Sequence, residues 1–255
     1  MNPRFKGLGF RRDLPDIRDL TFDSSGIIRK VRTLPKTVDL RGHRDMPPVY
    51  DQGSIGSCVA QSVGAICDFE HGQDKPYTPS TLFLYYVTRS LEGTVDVDCG
   101  ATIRSGIKAA NEFGVAKNRS WPYLEEKFRD TPPKPVFVEA QEYQALEYKR
   151  LRHSTDAFKQ CLAGENLIAF GIAVYDGLYS ITPQNPVLPM PNTKQQLLGG
   201  HAVVMVGYDD LRQHFIVRNS WGKEWGEKGY FYIPYKFMAD AQLAMDFWSI
   251  SLVEK

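Results

Sequence analysis

The 255-residue chain contains no apolar run near the roughly 20 residues that a membrane-crossing helix needs, and Met1 to Asp13 lacks the apolar core of a secretory signal. A cytoplasmic location is the expectation, with export by a route that reads some other signal left open. Excess charge is missing as well. The formal net charge is +1, without long like-charge runs, which removes the electrostatic reason to expect a nucleic-acid or membrane-surface partner. Small molecules or polypeptides are the better partners. Cysteine is also scarce: Cys58, Cys67, Cys99 and Cys161 show neither paired metal-ligand spacing nor the density of a disulfide scaffold. Cys67 and Cys161 fall in amphipathic helical stretches and read as small buried hydrophobes.

What is present fits a folded globule. Hydrophobic residues make up 42% of the chain and charged residues 24%, which excludes disorder for the whole. The length allows one large domain or two small lobes around a cleft. The first 33 residues stand apart, with eight Lys or Arg against four Asp, few periodic segments, and breaks at Pro15 and Gly26. They read as an appended arm, either a loose tail or a segment lying on the body.

Helical spacing of apolar residues predicts helices over Gly56 to Glu70, Ser80 to Arg89, Ile103 to Phe113 (capped by Gly114) and Thr155 to Leu162. Short β-favouring runs follow at Leu167 to Val174, His201 to Tyr208, His214 to Val217 and Gly229 to Ile233. A helical half followed by a β-rich half is an α+β arrangement with room for a cleft between lobes. Asp176 to Gly200, broken by four prolines, is expected to be a loop ending at His201.

Three places can carry chemistry. Cys58 follows Gln52-Gly53-Ser54-Ile55-Gly56-Ser57, a glycine-containing turn into a helix whose positive end would stabilise a thiolate. A cysteine at a helix start is equally compatible with simple burial. His201 stands at the mouth of an apolar strand after Gly199 and Gly200, and a lone histidine there is more often structural. Asn219 opens a tryptophan- and glycine-rich turn running to Phe231. A neutral amide can accept the imidazole N–H and fix its tautomer, while a neighbouring indole shields that bond.

Together, Gln52 to Ala60, Gly200 to Gly207 and Asn219 to Phe231 resemble the signature segments of papain-like cysteine peptidases, in the same order and with similar separations. The resemblance spans Leu34 to the C-terminus. Leu34 to Arg41 looks like the family's mature start, as in the short-armed bacterial members. It implies a papain-like two-lobed fold, with a helical N-terminal lobe, a β-rich C-terminal lobe and the active-site cleft between them. Residues 1–33 would be a pro-segment and 34–255 the peptidase domain. The implied roles are Cys58 as nucleophile, His201 as acid/base in an ion pair with it, Asn219 orienting the ring, Trp221 covering that contact, and Gln52 with the Cys58 N–H as oxyanion donors.

The pocket for the residue second upstream of the scissile bond would be walled by Ala101, Thr102, Gly171, Gly200 and Ala202, leaving room for a bulky apolar side chain. No metal or organic cofactor is required. The implied partners are a polypeptide substrate and the chain's own N-terminal segment in the cleft, on a monomer. Departures from the family pattern are Ile55, where many relatives have a disulfide cysteine, and Val59 and Gln61 in place of aromatics. The expected function is a cysteine endopeptidase made as a zymogen. The alternatives are a silent or autoinhibited peptide-binding relative, or another acyl transfer, such as transpeptidation or deamidation, on the same site.

Overall fold

The computed structural model describes residues 7–17, 19, 33–72 and 77–253, with side chains to residue 250. The helical half is built around α1 (Cys58–His71), in which every residue except Glu70 is buried. Such a helix needs partners on all sides. It packs on α2 (Thr81–Leu91), α3 (Ile103–Glu112) and the back of the sheet. Small residues allow the close approach. A methyl group on Gly64 would lie 2.9 Å from Thr81, and one on Gly106 would lie 2.8 Å from Val59. The starts of α2 and α3 are set by Ser80 and Thr102, whose hydroxyls accept from the N–H groups of Phe83 and Ser105.

The second half supplies the strands β2 (Ala145–Arg150), β3 (Ile168–Tyr175), β4 (Leu197–Asp209), β5 (His214–Arg218), β6 (Tyr230–Pro234) and β7 (Ala244–Val253). With β1 (Thr37–Asp39), which pairs with β4, they form a seven-stranded antiparallel sheet in the order β2-β7-β3-β4-β5-β6. Short helices α4 (Lys134–Ala140), α5 (Thr155–Ala163) and α6 (Tyr235–Met238) complete the chain. Among the described residues no helix is long and apolar enough to cross a membrane.

The helices and strands read from periodicity are present within one to four residues, and Gly114 closes α3 with a φ of +75°. The loop before His201 is shorter than expected. β4 begins at Leu197, because Gly199 and Gly200 pair with Val174 and Ala173 of β3. Glycine lowers strand propensity, and here the neighbouring strand overrides it. The proline segment is not free either: Leu188 N donates to Tyr232 O, and Tyr232 N donates to Pro186 O. Part of the expected arm, residues 1–6, 18 and 20–32, lies outside the described residues.

The sheet's hydrophobic face carries an aromatic cluster. The Phe158 ring of α5 lies 4.2 Å from that of Phe247 and 5.9 Å from that of Phe215, and all three are buried. Phe158→Ala should therefore lower unfolding free energy by about 3 to 5 kcal/mol, measured by urea denaturation. A loss under about 1 kcal/mol would mean that the cluster collapses around the gap.

Candidate active site

Cys58 is the first residue of α1. The preceding loop turns sharply at Gly53, where φ is +63°, and is held from outside by carboxylates. Asp51 accepts from Gly53 N, Glu125 from Ser54 N, and Asp98 from Gly56 N at 2.9 Å. Asp98 also accepts from the Tyr85 hydroxyl. Ile55, buried, turns its carbonyl to the Ser57 N–H and to Nε2 of Gln52. All four cysteines are free thiols, so this loop is fastened by charge-assisted hydrogen bonds.

The sheet supplies the other half. His201 lies opposite Ile172 in the β3–β4 ladder, and its Nε2 is 2.8 Å from Asn219 Oδ1. That oxygen also accepts from Ser220 N, so the amide is orientated and the ring carries its proton on Nε2. Nδ1 has no hydrogen-bond partner among the described residues. Trp221 covers the ring at 4.8 Å and is itself packed by Tyr179 and Trp225. Ser220 reaches across to the helical half, donating from Oγ to Gln52 Oε1 at 2.7 Å and accepting from Gln52 N. This fixes the Gln52 amide with Nε2 facing the seam between the halves.

The arm runs through that seam. Gly7 O accepts from Gln52 Nε2 at 2.8 Å. Gly9 O accepts from Ala101 N, Phe10 N donates to Gly200 O, and Arg11 N donates to Ala101 O. The Cys58 sulfur accepts from Ala202 N at 3.4 Å, and the Gly9 N–H is among the backbone groups that favour its thiolate. Contact is backbone to backbone. A Cβ on Gly9 would stand 1.8 Å from Gly56 O, and one on Gly7 would stand 2.4 Å from the Ile55 carbonyl carbon. Phe10 is buried against Gly171 and Gly200, where added methyl groups would overlap its ring.

Of the residues expected to wall a pocket, Ala101, Gly171 and Gly200 thus meet the arm, while Ala202 turns its N–H to the sulfur. Thr102 has its N–H and hydroxyl on Glu92 and caps α3.

Beyond the seam the arm is latched by buried charge. Asp13 accepts from Trp248 Nε1 and Arg104 N, and its own N–H donates to Asp246 Oδ2 at 2.7 Å. Asp246 sits in a bulge of β7 with a φ of +55°, which turns its carboxylate to the arm. Arg150 bridges Asp246 and Asp19, and Arg104 binds Asp19 through two nitrogens. Asp13 falls in the Asp13 to Asp19 stretch that resembles the arm of the short-armed members, but its partners were not legible, and Gly7, Gly9 and Phe10 carried no signal beyond their Gly-x-Gly-Phe order.

Burial dominates the electrostatics. Cys58 and His201 have no exposed surface. Desolvation pushes the thiol up to about 11, against the lowering by backbone N–H groups, and pushes the imidazole down to about 4, against the raising by Asn219. With the arm in place the neutral thiol and imidazole are therefore favoured over the ion pair that the family resemblance implies. Asp246 is raised to about 6 by desolvation and by Asp13, and Asp13 is raised by desolvation.

A glutamine amide, a thiol at a helix start, an imidazole on an amide and a shielding indole around one seam are the equipment for acyl transfer through sulfur. The family model described as "Papain family cysteine protease" matches residues 34–248. The chain belongs to this family, and its fold is the papain-like two-lobed α+β fold.

It is similar to xylellain, a cysteine protease from Xylella fastidiosa, with a TM-score of 0.88 and 37% identity over 99% of this chain and 98% of that one. A peptidase C1-like protein of Acanthamoeba polyphaga mimivirus is 35% identical over 97% of this chain and 88% of its own length. Peptidase 1 of Dermatophagoides farinae is 29% identical over 84% of this chain, which spans 65% of that relative.

The glycine contact gives a direct test. In the full chain, Gly9→Val places a branched side chain against Gly56 backbone and should lift the arm. An epoxide thiol reagent should then label Cys58 at least about tenfold faster than in wild type, a change of about 1.4 kcal/mol or more in the docking equilibrium. Unchanged labelling, read by mass spectrometry, would mean that the arm does not limit access.

Proposed function

We propose that the chain is a cysteine endopeptidase made as a zymogen, with residues 1–33 as a pro-segment and 34–255 as the peptidase domain. The observation that supports this most is that the arm backbone lies in the seam between the halves, on the Gln52 amide and against the buried Cys58.

Once the arm leaves, water reaches the pair and the ion pair forms. Cys58 thiolate attacks a peptide carbonyl, forming the S–C bond as the carbonyl π pair moves to oxygen. Gln52 Nε2 and the Cys58 N–H receive that oxyanion, each worth about 3 kcal/mol if typical. His201, held by Asn219 and shielded by Trp221, gives its proton to the leaving amine. It then takes one from water as the thioester is hydrolysed.

The arm escapes this fate by its placement. The carbonyl on Gln52 belongs to Gly7, while the arm group that favours the thiolate is the Gly9 N–H, so the oxyanion donor and the sulfur face different peptide units.

Phe10 supports a specificity. Its ring rests where Gly171 and Gly200 lack side chains, beside Ala101, which favours substrates with an aromatic residue second upstream of the cleaved bond. Gly171→Val should lower kcat/KM for Phe against Val at that position by about tenfold or more, assayed with fluorogenic dipeptides. An unchanged ratio would place the pocket elsewhere. In the opened full chain carrying Gly9→Val, Cys58→Ala should abolish both epoxide labelling and hydrolysis. Retained hydrolysis would sink the nucleophile assignment, and labelling of Cys58 without hydrolysis of any peptide would favour another acyl transfer.

Arm release also has a pH signature. Undocking returns Asp246 from about 6 towards 3.8. As pH falls through this window the docked state gains a proton at Asp246, and Asp13 acts in the same direction, so acid tightens docking through the carboxylates. The proton that His201 gains when the ion pair forms is the one Cys58 gives up, so that pair adds no net proton uptake. Asp246→Asn removes the main carboxylate contribution, so the labelling rate of variant over wild type should rise as pH falls from about 6.5 to about 4. A constant ratio would overturn this linkage.

A further inference from the structure

Tyr123 lies in the segment between α3 and α4, outside regular structure, with its N–H on Asn118 Oδ1. Its hydroxyl is 2.8 Å from the backbone carbonyl of Gln52 and 2.6 Å from Ser57 Oγ. Ser57 Oγ is in turn 3.3 Å from Nε2 of Gln61, which is buried in α1. The direction of this chain is forced. The Gln52 carbonyl can only accept, so Tyr123 donates to it. Ser57 must then donate to Tyr123, and the Gln61 amide donates to Ser57. Every hydroxyl gives one hydrogen bond and accepts one.

The two ends of the chain are the two halves of the oxyanion site. Gln52 carries one donor on its side chain, and Ser57 precedes Cys58, whose N–H is the other. Between them runs the Gly53 to Gly56 turn, whose middle is held by Asp51, Glu125 and Asp98 and whose Ile55 carbonyl takes both the Gln52 side-chain amide and the Ser57 N–H. The Tyr123 hydroxyl adds a second tie, from the Gln52 backbone carbonyl to the Ser57 hydroxyl. Gln61 completes the chain from within α1.

We infer that Tyr123 is a positioning residue for peptide hydrolysis, its hydroxyl setting the distance between the Gln52 amide and the Cys58 N–H so that both meet the oxyanion. This rests on the roles proposed above for Cys58 and Gln52. Hydrogen-bond donors stabilise a transition state only when they converge on the developing charge, and a small splay costs rate without costing substrate binding.

The test uses the full chain carrying Gly9→Val, with and without Tyr123→Phe, and three readouts. Dipeptide hydrolysis gives kcat and KM. A peptide aldehyde, which forms a tetrahedral adduct with its oxygen in the same place, gives an inhibition constant. Iodoacetamide alkylates the sulfur by displacing iodide and develops no oxyanion.

Tyr123→Phe should lower kcat and weaken aldehyde inhibition by about tenfold each, with KM and the alkylation rate within about twofold. Ser57→Ala, which cuts the chain at one link, should give a smaller split of the same kind and serves if the Phe variant loses its cooperative melting transition. Alkylation falling in parallel with hydrolysis, or neither changing, would overturn the inference. Hydrolysis surviving Cys58→Ala in the same background would instead defeat the nucleophile assignment and leave the Tyr123 result to be read as structural.

Discussion

Ser220 is where the two halves of this molecule are joined at the site. Its N–H holds the Asn219 amide that orients the imidazole, its hydroxyl holds the Gln52 amide, and its carbonyl receives the Gln52 N–H. A residue of the sheet half thus sets the orientation of a donor on the helical half. Buried amides of this kind are costly to leave unpaired, so the set is either fully made or badly disrupted. This seam adds a polar frame to the direct packing of α1 on β4 that sets Cys58 against His201.

On the proposed function, the same seam is where the arm would silence the site. The polar groups that would serve a substrate serve the arm: Gln52 takes the Gly7 carbonyl, Ala101 takes Gly9 and Arg11, and Gly200 takes Phe10. What changes is hydration. An ion pair needs either water or compensating charge, and under the arm Cys58 and His201 have neither, so the neutral forms prevail. The latch at Asp13, Asp19, Asp246, Arg104 and Arg150 lies away from the chemistry, so part of the docking strength is carried by residues outside the catalytic geometry.

Much of the architecture was legible because its signals are local. Apolar spacing marked α1 to α3, α5 and β3 to β6, and the resemblance marked Gln52, Cys58, His201 and Asn219. The misses have physical causes. β2 carries Glu147, Lys149 and Arg150 at the sheet edge, where charge blurs alternation, and β7 is interrupted by the bulge at Asp246. Gly199 and Gly200 read as loop because glycine disfavours strands, yet their missing side chains make room for Leu8 and Phe10 beside the ladder. The arm's contacts were invisible for a related reason: Gly7 and Gly9 act through absent side chains, and Asp13 finds Trp248 more than two hundred residues away.

Ile55 has a consequence for chemistry carried by a thiol. A cysteine nucleophile works only while its sulfur stays reduced, and reductants that protect it also cut disulfides nearby. In this chain the loop leading to Cys58 is tied to its neighbours by Asp98 on Gly56, Glu125 on Ser54 and Ser220 on Gln52, and all four thiols are free. Reducing conditions therefore preserve the nucleophile without loosening its support. The surroundings of Cys58 can take shape without an oxidant at any stage of folding.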